Sequence, residues 1–235
     1  LDYFDSVLLS GDYQKKDIRL LEADRNIKEK ELVTVGCPYL DVLEKKLFSL
    51  QERDKSAQNT KTFTVLVSPS WGKSALLSRY GEKLLDPLVK TGFRIIVRPH
   101  PQSKKSETAL LESLEKRYKD TANLEWNYES DNINALSRAD IMISDFSSVI
   151  FDYCFLFDKP FLYCNNEFDH RPYDSGDLKE LPWKFSILKE IGRELKSTDF
   201  TDIRKIIKET CESSTLKENR LKAKDTAWQN RGLAG

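Results

Sequence analysis

The sequence predicts an α/β protein built on a parallel sheet with helices on both faces. From residue 62 onward, short apolar stretches of strand composition alternate with longer segments of helical periodicity. Strands and helices that alternate regularly form right-handed βαβ units, in which the strands are parallel and the helices cover both faces of the sheet. Polar clusters follow two of the apolar stretches directly, as ligand-binding turns do at the carboxyl edge of such a sheet.

Length and composition limit the possible classes of protein. The 235 residues suffice for one large domain, or for one domain and part of another. Lys+Arg and Asp+Glu both number 38, so no global charge favours nucleic acid, and we expect no nucleic-acid partner. No apolar stretch is long and uninterrupted enough to span a bilayer. The four cysteines are widely spaced without a CxxC pair, which predicts free thiols in a reducing compartment.

Residues 1–50 predict the end of an incomplete first domain. The expected elements are a strand over 4–10, a helix over 12–23, an apolar run over 32–35 and a helix over 40–50. The last helix has four leucines on one face, namely Leu40, Leu43, Leu47 and Leu50. Residues 51–60 are almost wholly polar, which is typical of a linker. The chain begins with Leu1 and its only methionine is Met142, so we expect it to be part of a longer protein.

Residues 61–235 predict a second domain with the full alternation. Strands are expected over 62–67, 93–97, 123–126, 140–143 and 160–163. Helices are expected over 74–90, 106–118, 133–137, 147–157, 200–211 and 216–228. Residues 165–183 are rich in Asp, Pro and Gly and predict a long irregular loop of the kind that borders sites.

The first polar cluster, Ser144-Asp145-Phe146-Ser147-Ser148, lies where a buried strand gives way to a helix. A helix start carries unpaired backbone N–H groups and partial positive charge, which suit an anionic phosphate. The serines add hydroxyl donors; the alternative is that they only cap the helix, with Asp145 an ordinary turn residue. Asp152 either orients Ser148 or Arg98 by a hydrogen bond or is an exposed helix carboxylate.

The second polar cluster, Arg98-Pro99-His100-Pro101, ends another apolar strand. The two prolines restrict the backbone and hold Arg98 and His100 in a defined geometry. A guanidinium binds two phosphate oxygens in its planar fork, and an imidazole donates one hydrogen bond to a third. The alternative is a solvated loop end with a structural Arg–Asp pair. His170 is a weaker candidate of the same kind. We interpret the two polar clusters together as one phosphate site.

Two further turns are secondary candidates. Gly72-Lys73-Ser74 resembles the tail of a P-loop, but that motif needs a glycine where this chain has Val67, so we reject the match. Ser70 and Trp71 in the same turn still offer hydroxyl and N–H groups at a helix start, or the turn is a simple cap. The polar residues 129–132 are a weak candidate for holding a ribose or a base. No Asp or His cluster has ligand spacing, so neither a metal nor a cofactor is expected.

These clusters resemble the CDP-glycerol glycerophosphotransferase family of teichoic-acid and capsule polymerases and primases. The family's pattern is S/T-D-x-S-S, then FDY, then L-x-K-P. The corresponding residues of this chain are Ser144 to Ser148, Phe151-Asp152-Tyr153, Leu156 and Lys159-Pro160. Arg98-Pro99-His100-Pro101 is a further match to the family. Gly36-Cys37-Pro38-Tyr39-Leu40-Asp41 resembles the G-x-P-x-x-D that precedes the family's second domain. The resemblance covers about residues 4–163.

The resemblance implies a GT-B fold, in which two Rossmann-like domains face a cleft and the C-terminal domain holds most of the donor. Residues 61–235 would be this donor-binding domain. The donor-binding residues implied are Ser70, Trp71, Arg98, His100, Ser144, Asp145, Ser147, Ser148 and Asp152. Of these, Arg98 and His100 are the expected catalytic residues. The family's proposed general base, a histidine early in the N-terminal domain, has no counterpart here, and we expect the chain alone to be inactive.

The reaction implied is phosphoryl transfer, in which an acceptor hydroxyl attacks the β-phosphorus of a CDP-linked polyol and CMP leaves. The implied partners are a CDP-polyol donor, with glycerol favoured as the polyol, and a lipid-linked or polymer acceptor. The implied location is cytoplasmic, at the inner face of the cell membrane, with peripheral contact through segments outside this chain. Two alternatives stay open: a nucleotide-sugar glycosyltransferase or UDP-sugar 2-epimerase-like enzyme on the same fold, and a non-catalytic nucleotide-binding module.

Overall fold

The computed structural model describes residues 2–53, 62–165 and 180–234, and only the backbone of 50–53. Within these ranges the main sheet has six parallel strands in the order β5-β4-β3-β6-β7-β8. The strands are β3 (Thr64–Val67), β4 (Arg94–Val97), β5 (Leu124–Trp126), β6 (Ile141–Ser144), β7 (Phe161–Tyr163) and β8 (Arg193–Glu194). This is the strand order of a doubly wound dinucleotide-binding sheet.

Helices connect the strands and cover both faces of the sheet. Those of the main domain are α3 (Leu76–Val89), α4 (Ser103–Ser106), α5 (Thr108–Arg117), α6 (Ile133–Arg138), α7 (Val149–Phe157), α8 (Trp183–Ser186), α9 (Leu188–Ile191), α10 (Ile203–Glu212) and α11 (Ser214–Ala227), with a 3₁₀ helix at Ser197–Asp202. None of the helices in the described ranges is long and apolar enough to cross a membrane.

The two hydrophobic layers follow from the alternation of side chains along each strand. In β3, Val65 and Val67 pack with α3, α5 and α10, whereas Leu66 between them packs with α6, α7 and α11 on the other face. All three side chains are fully buried. The strands are therefore apolar on both faces, as parallel strands between two helical layers must be.

The first part of the chain forms a separate two-stranded parallel sheet. The strands of this sheet are β1 (Ser6–Leu9) and β2 (Glu31–Thr34). The helix α1 (Tyr13–Asp24) connects them, and α2 (Pro38–Arg53) follows β2. Leu40, Leu43 and Leu47, which were predicted to share one face of α2, are buried, and Leu40 and Leu43 pack in the same layer as α7. The first part therefore contributes a helix to the hydrophobic layer of the main sheet.

The C-terminal segment after α11 returns to this first part. Asp41 of α2 is buried and accepts hydrogen bonds from Trp228 Nε1 at 2.8 Å and from the backbone N–H groups of Gly232 and Ala234. Gly36 has a positive φ of 97° and lies so close to Gln229 that a Cβ there would meet its carbonyl oxygen at 2.4 Å. Residues 61–235 thus include a segment that packs on residues 36–41, and the predicted division into domains stays a prediction.

The predicted fold class is confirmed, and the predicted elements need local corrections. The helix predicted over 40–50 continues to Arg53, into the predicted linker, of which residues 54–61 lie outside the described ranges. The helix predicted over 106–118 corresponds to α5, and the short helix α4 precedes it. Four short elements were missed: α4, α8, α9 and β8. Residues 166–179 of the predicted loop, including His170, lie outside the described part of the chain.

Candidate functional site

A cleft of about 560 Å³ opens at the carboxyl edge of the sheet, beside the point where the strand order reverses. The chain passes from β3 to β4 and β5 on one side and then returns to β6 on the other, so the loops after β3 and β6 diverge here. Such a switch point is where open α/β sheets bind ligands. Residues of α2, of the turns after β3, β4, β5 and β6, and of α7 line the cleft.

The two predicted polar clusters meet in this cleft. Arg98 and His100 follow β4, Ser147 and Ser148 precede α7, and all four line the same cavity. The strands β4 and β6 both pair with β3 in parallel, which brings their carboxyl ends to one edge. Tertiary structure therefore unites residues that are about 50 positions apart in the sequence.

Ser148 is the residue before the first turn of α7, and its hydroxyl makes no capping hydrogen bond to that helix. The side chain of Ser148 is exposed and that of Ser147 is half-buried. The interpretation of Ser148 as a helix cap alone is thus not what the geometry supports. The α7 N-terminus offers backbone N–H groups and partial positive charge to the same cavity.

The side chain of Arg98 is held from one side and presented to the cleft. Its Nη1 donates to Oδ1 of the buried Asn127, and its Nη2 donates to the carbonyl oxygen of Glu129 at 2.8 Å. Burial lowers the pKa of Arg98, and the nearby Glu129 and Asp131 oppose that shift. A guanidinium nevertheless stays charged in proteins. The alternative interpretation, a structural Arg–Asp pair, is therefore wrong in its partner, because Arg98 donates to Asn127 and to a backbone carbonyl oxygen.

The hydrogen bond at Nδ1 determines the tautomer of His100. Its Nδ1 accepts from the backbone N–H of Gln102 at 3.1 Å, so the neutral ring carries its proton on Nε2. Burial lowers the pKa of His100, with Glu107 opposing the shift, and the ring is therefore neutral at pH 7. The imidazole is thus prepared to donate one hydrogen bond from Nε2.

Asp145 and Ser144 lie behind the cleft, with both side chains fully buried. The Asp145 carboxylate accepts from the backbone N–H groups of Ser70, Leu76 and Ser147. The Ser144 hydroxyl donates to the carbonyl oxygen of Ser68 at 2.6 Å. The prediction that these two side chains contact a donor directly is therefore corrected, because both are turned inward to join the loops after β3 and β6.

Ser70 and Trp71 lie in the loop after β3, at the rim of the site. Ser70 is half-buried and its backbone N–H is bound to Asp145, whereas the Trp71 side chain is 45% exposed. The Trp71 ring lies 6.3 Å from that of His100, centroid to centroid. Neither residue lines the cleft in this structure, and a contact of either with a donor stays a prediction.

Asp152 lines the cleft, and its partner is Tyr39 of α2, a residue that the sequence analysis did not propose for the site. The Tyr39 hydroxyl donates to Oδ2 of Asp152 at 3.4 Å. Burial raises the pKa of Asp152 to about 6, against the effect of the Tyr39 hydrogen bond. Both interpretations offered above are therefore corrected: Asp152 is half-buried, and it is bound to neither Ser148 nor Arg98.

Sequence reasoning also missed Lys46 and Asn127. Lys46 of α2 lines the cleft, with its Nζ 3.7 Å from Oδ2 of Asp131. Ser130, Asp131 and Asn132 line it as well, as their position after β5 suggested. The only available signal for α2 was the Gly36 to Asp41 motif. Within the described ranges no group of His, Cys, Asp and Glu side chains is arranged to hold a metal ion.

One residue of the resembling motif has a purely structural environment. The Lys159 ammonium donates to the carbonyl oxygens of Ser137 and Ala139, at 2.7 and 2.5 Å, where α6 ends. A cation at a helix C-terminus satisfies carbonyls that lack partners within the helix. This motif lysine therefore joins α6 to the start of β7 and is not among the residues lining the cleft.

The fold and the cleft together define a doubly wound α/β protein with a polar cleft at its switch point. The family model for CDP-glycerol:poly(glycerophosphate) glycerophosphotransferase matches residues 7–185. The chain belongs to that family, as its motifs indicated. No curated protein sequence matches the chain significantly.

Solved structures show the same fold at low sequence identity. The wall teichoic acid polymerase TagF superposes with a TM-score of 0.61 at 19% identity, over 98% of this chain and 54% of that one. A TagF variant soaked with CDPG gives 0.60 at 18% identity over the same shares. Anabaena Alr3699/HepE in complex with UDP gives 0.53 at 11% identity, over 95% of this chain and 60% of that one. The GT-B type of fold is thereby confirmed, and the chain spans little more than half of these proteins.

Proposed function

We propose that this chain supplies the donor-binding part of a transferase that moves a polyol phosphate from a CDP-linked donor to a growing polymer and releases CMP. The observation that carries the proposal is the convergence of Arg98, His100, Ser147 and Ser148 in one cleft at the carboxyl edge of the sheet. Membership of the glycerophosphotransferase family supports CDP-glycerol as the donor. The TagF variant soaked with CDPG supports the same donor class.

The donor's diphosphate would lie against the N-terminus of α7. Ser147 and Ser148 would donate from their hydroxyls, and Arg98 would neutralise the diphosphate with a guanidinium already oriented by Asn127. In the reaction the acceptor hydroxyl would give its proton to a base outside this chain, and its oxygen would bond to the β-phosphorus. The bond from that phosphorus to the bridging oxygen would break, and CMP would leave with that oxygen. The Nε2–H of His100 would donate to the oxygens on which charge develops, which is stabilisation by preorganised donors.

The acceptor and the location follow from the same proposal. The acceptor would be the hydroxyl end of a cell-wall teichoic acid or of a capsule polymer, lipid-linked or free. The reaction would then take place in the cytoplasm at the inner face of the cell membrane. Contact with the membrane would come from parts of the protein outside this chain.

Calorimetric titration with CDP-glycerol tests the donor site. Arg98→Ala and Ser148→Ala should each weaken binding by about 1–3 kcal/mol, or about 5–150-fold, as expected for lost hydrogen bonds to a charged group. Arg204→Ala and Ser137→Ala serve as matched controls, because both residues lie outside the cleft. Unchanged affinity in both cleft variants would contradict the proposed site.

Two further measurements separate the alternatives. Tighter binding of UDP-sugars than of CDP-glycerol would favour a nucleotide-sugar glycosyltransferase on the same fold. Release of CMP from CDP-glycerol, assayed in a protein that includes this chain and a complete N-terminal domain, distinguishes a transferase from a non-catalytic module. Absence of release with every CDP-polyol and acceptor tried would favour the module.

A further inference from the structure

A tyrosine–carboxylate pair lies in the wall of the cleft beside the residues assigned to the diphosphate. Tyr39 comes from α2 and Asp152 from α7. Asp152 follows Ser148 by four positions, so both side chains lie on the same face of α7, roughly 6 Å apart at Cβ. Asp152 is therefore within reach of the atoms that neighbour a phosphate bound at Ser148.

Anion binding does not account for this carboxylate. A negative charge next to a diphosphate site opposes phosphate, and the cations of the cleft are engaged with other groups. Arg98 is bound to Asn127 and Glu129, and Lys46 is the cation near Asp131. Among the described residues, the Tyr39 hydroxyl is the one hydrogen-bond donor to the Asp152 carboxylate.

The chemistry of the pair is suited to hydroxyl groups. An ionised carboxylate only accepts hydrogen bonds, and a tyrosine hydroxyl both donates and accepts. The Asn132 side chain also forms a hydrogen bond with the Tyr39 hydroxyl. The Tyr39–Asp152 distance of 3.4 Å is long for a bond between two oxygens, so this contact is weak enough for a ligand hydroxyl to replace it. Half of the Tyr39 surface is exposed, and Oδ1 of Asp152 has no hydrogen-bond partner in the described part of the chain.

We propose that Tyr39 and Asp152 recognise a pair of neighbouring hydroxyl groups of the donor, next to the diphosphate bound by Arg98 and Ser148. The inference rests on the proposed function, since it concerns the same cleft. Two parts of a CDP-linked polyol carry such a diol: the glycerol and the ribose. In either case the pair selects for a hydroxylated group, whereas the diphosphate residues supply attraction for any nucleoside diphosphate.

Calorimetric titration of three ligands tests the inference: CDP-glycerol, CDP and 2′,3′-dideoxy-CDP. Asp152→Asn and Tyr39→Phe should each weaken CDP-glycerol binding about tenfold or more, the usual effect of losing a hydrogen bond to a charged group. Binding of dideoxy-CDP should be unchanged in both variants. If CDP binding is also unchanged, the diol is that of the glycerol; if CDP loses affinity as CDP-glycerol does, the diol is that of the ribose.

A second tyrosine–carboxylate pair provides the matched control. Tyr118 donates to Asp86 at 2.6 Å, and neither residue lines the cleft, so Tyr118→Phe and Asp86→Asn should leave all three affinities unchanged. Equal losses for all three ligands in Asp152→Asn would make the pair a structural support and overturn the inference. So would the absence of any loss.

The proposed function fails separately. It fails if the unmodified chain binds none of the three ligands, or if Ser148→Ala has no effect on any of them, and the inference then fails with it. If Ser148→Ala weakens all three ligands while Asp152→Asn and Tyr39→Phe weaken none, the donor site stands and the diol site alone is wrong.

Discussion

The buried carboxylate of Asp145 accepts a hydrogen bond from the backbone N–H of Ser70, a residue 75 positions earlier in the chain, at 2.9 Å. It also accepts from the backbone N–H groups of Leu76 and Ser147. One side chain at the end of β6 thus connects the loop after β3, the start of α3 and the turn before α7. Burial raises the pKa of Asp145 to about 6, although these backbone hydrogen bonds favour the ionised form. Together with the Ser144 hydroxyl, which donates to the Ser68 carbonyl oxygen, this carboxylate holds the switch point of the sheet together.

We predict that Asp145→Ala destabilises the protein by about 2–4 kcal/mol, because it leaves backbone donors in the interior without an acceptor. Urea unfolding measures this free energy. The exposed Asp120→Ala is the matched control and should change it by less than about 0.5 kcal/mol. Equal stability of the two variants would show that Asp145 does not hold the two loops.

We predict that Asn127→Ala weakens nucleotide binding without contacting the nucleotide. Asn127 is buried and orients the Arg98 guanidinium, and it is not among the residues that line the cleft. Loss of that orientation should weaken CDP-glycerol binding by about 1 kcal/mol, or about fivefold. The double variant Arg98→Ala/Asn127→Ala should bind no more weakly than Arg98→Ala. Additive losses in the titrations would contradict this positioning role.

We predict a pH dependence of stability that belongs to Asp152. Its pKa is raised in the folded protein to about 6 from the ordinary value of 3.8, so the folded state binds the proton more tightly. Between about pH 4 and pH 6 the stability contributed by Asp152 therefore falls as the pH rises. The charged and titratable groups lining the same cleft are Tyr39, Lys46, Arg98, His100 and Asp131.

Asp152→Asn isolates this contribution from those of the neighbouring groups. Relative to the unmodified chain, the variant should gain on the order of 1–2 kcal/mol between pH 4 and pH 7, after allowance for solvent screening. Urea unfolding of both proteins at a series of pH values measures the difference. The prediction is wrong if the difference in free energy of unfolding between the two proteins is the same at every pH, or if Asp152→Asn gains stability toward low pH instead.

We predict that Gly36→Ala is more destabilising than Gly92→Ala. Both glycines have a positive φ, 97° and 75°, so alanine is strained at either position by about 1–2 kcal/mol. At Gly36 a Cβ would also meet the Gln229 carbonyl oxygen at 2.4 Å, whereas at Gly92 it would meet nothing within 4 Å. Thermal unfolding should therefore show a larger loss for Gly36→Ala. Equal losses would mean that the C-terminal segment does not pack tightly on the turn at Gly36.

Local sequence patterns predicted most of the elements, because their physical causes are local. Strands such as Ile141–Ser144 are continuous apolar runs, and helices such as Leu76–Val89 show helical periodicity. The elements that were missed, such as Arg193–Glu194, are too short to show a period. This strand is defined by its pairing with β7, and no local sequence pattern reveals that contact.

The site was predicted in part for the same reason. Arg98, His100, Ser147 and Ser148 could be proposed because polar residues directly after apolar strands lie at the carboxyl edge of a parallel sheet. Tyr39 and Lys46 could not be proposed, since they lie on α2, which reaches the cleft only by packing against the main domain. The roles of Ser144 and Asp145 were misjudged because sequence does not show whether a side chain at a strand end points into the cleft or behind it.

The sequence by itself determined the fold class, the two polar clusters and the family, since each rests on periodicity or on residues adjacent in the chain. Only the tertiary structure decided which side chains share the cleft, that Asp152 meets Tyr39, and that Asn127 holds Arg98. These contacts join residues that lie far apart in the chain. Their geometry depends on strand order and helix packing, which are properties of the whole fold.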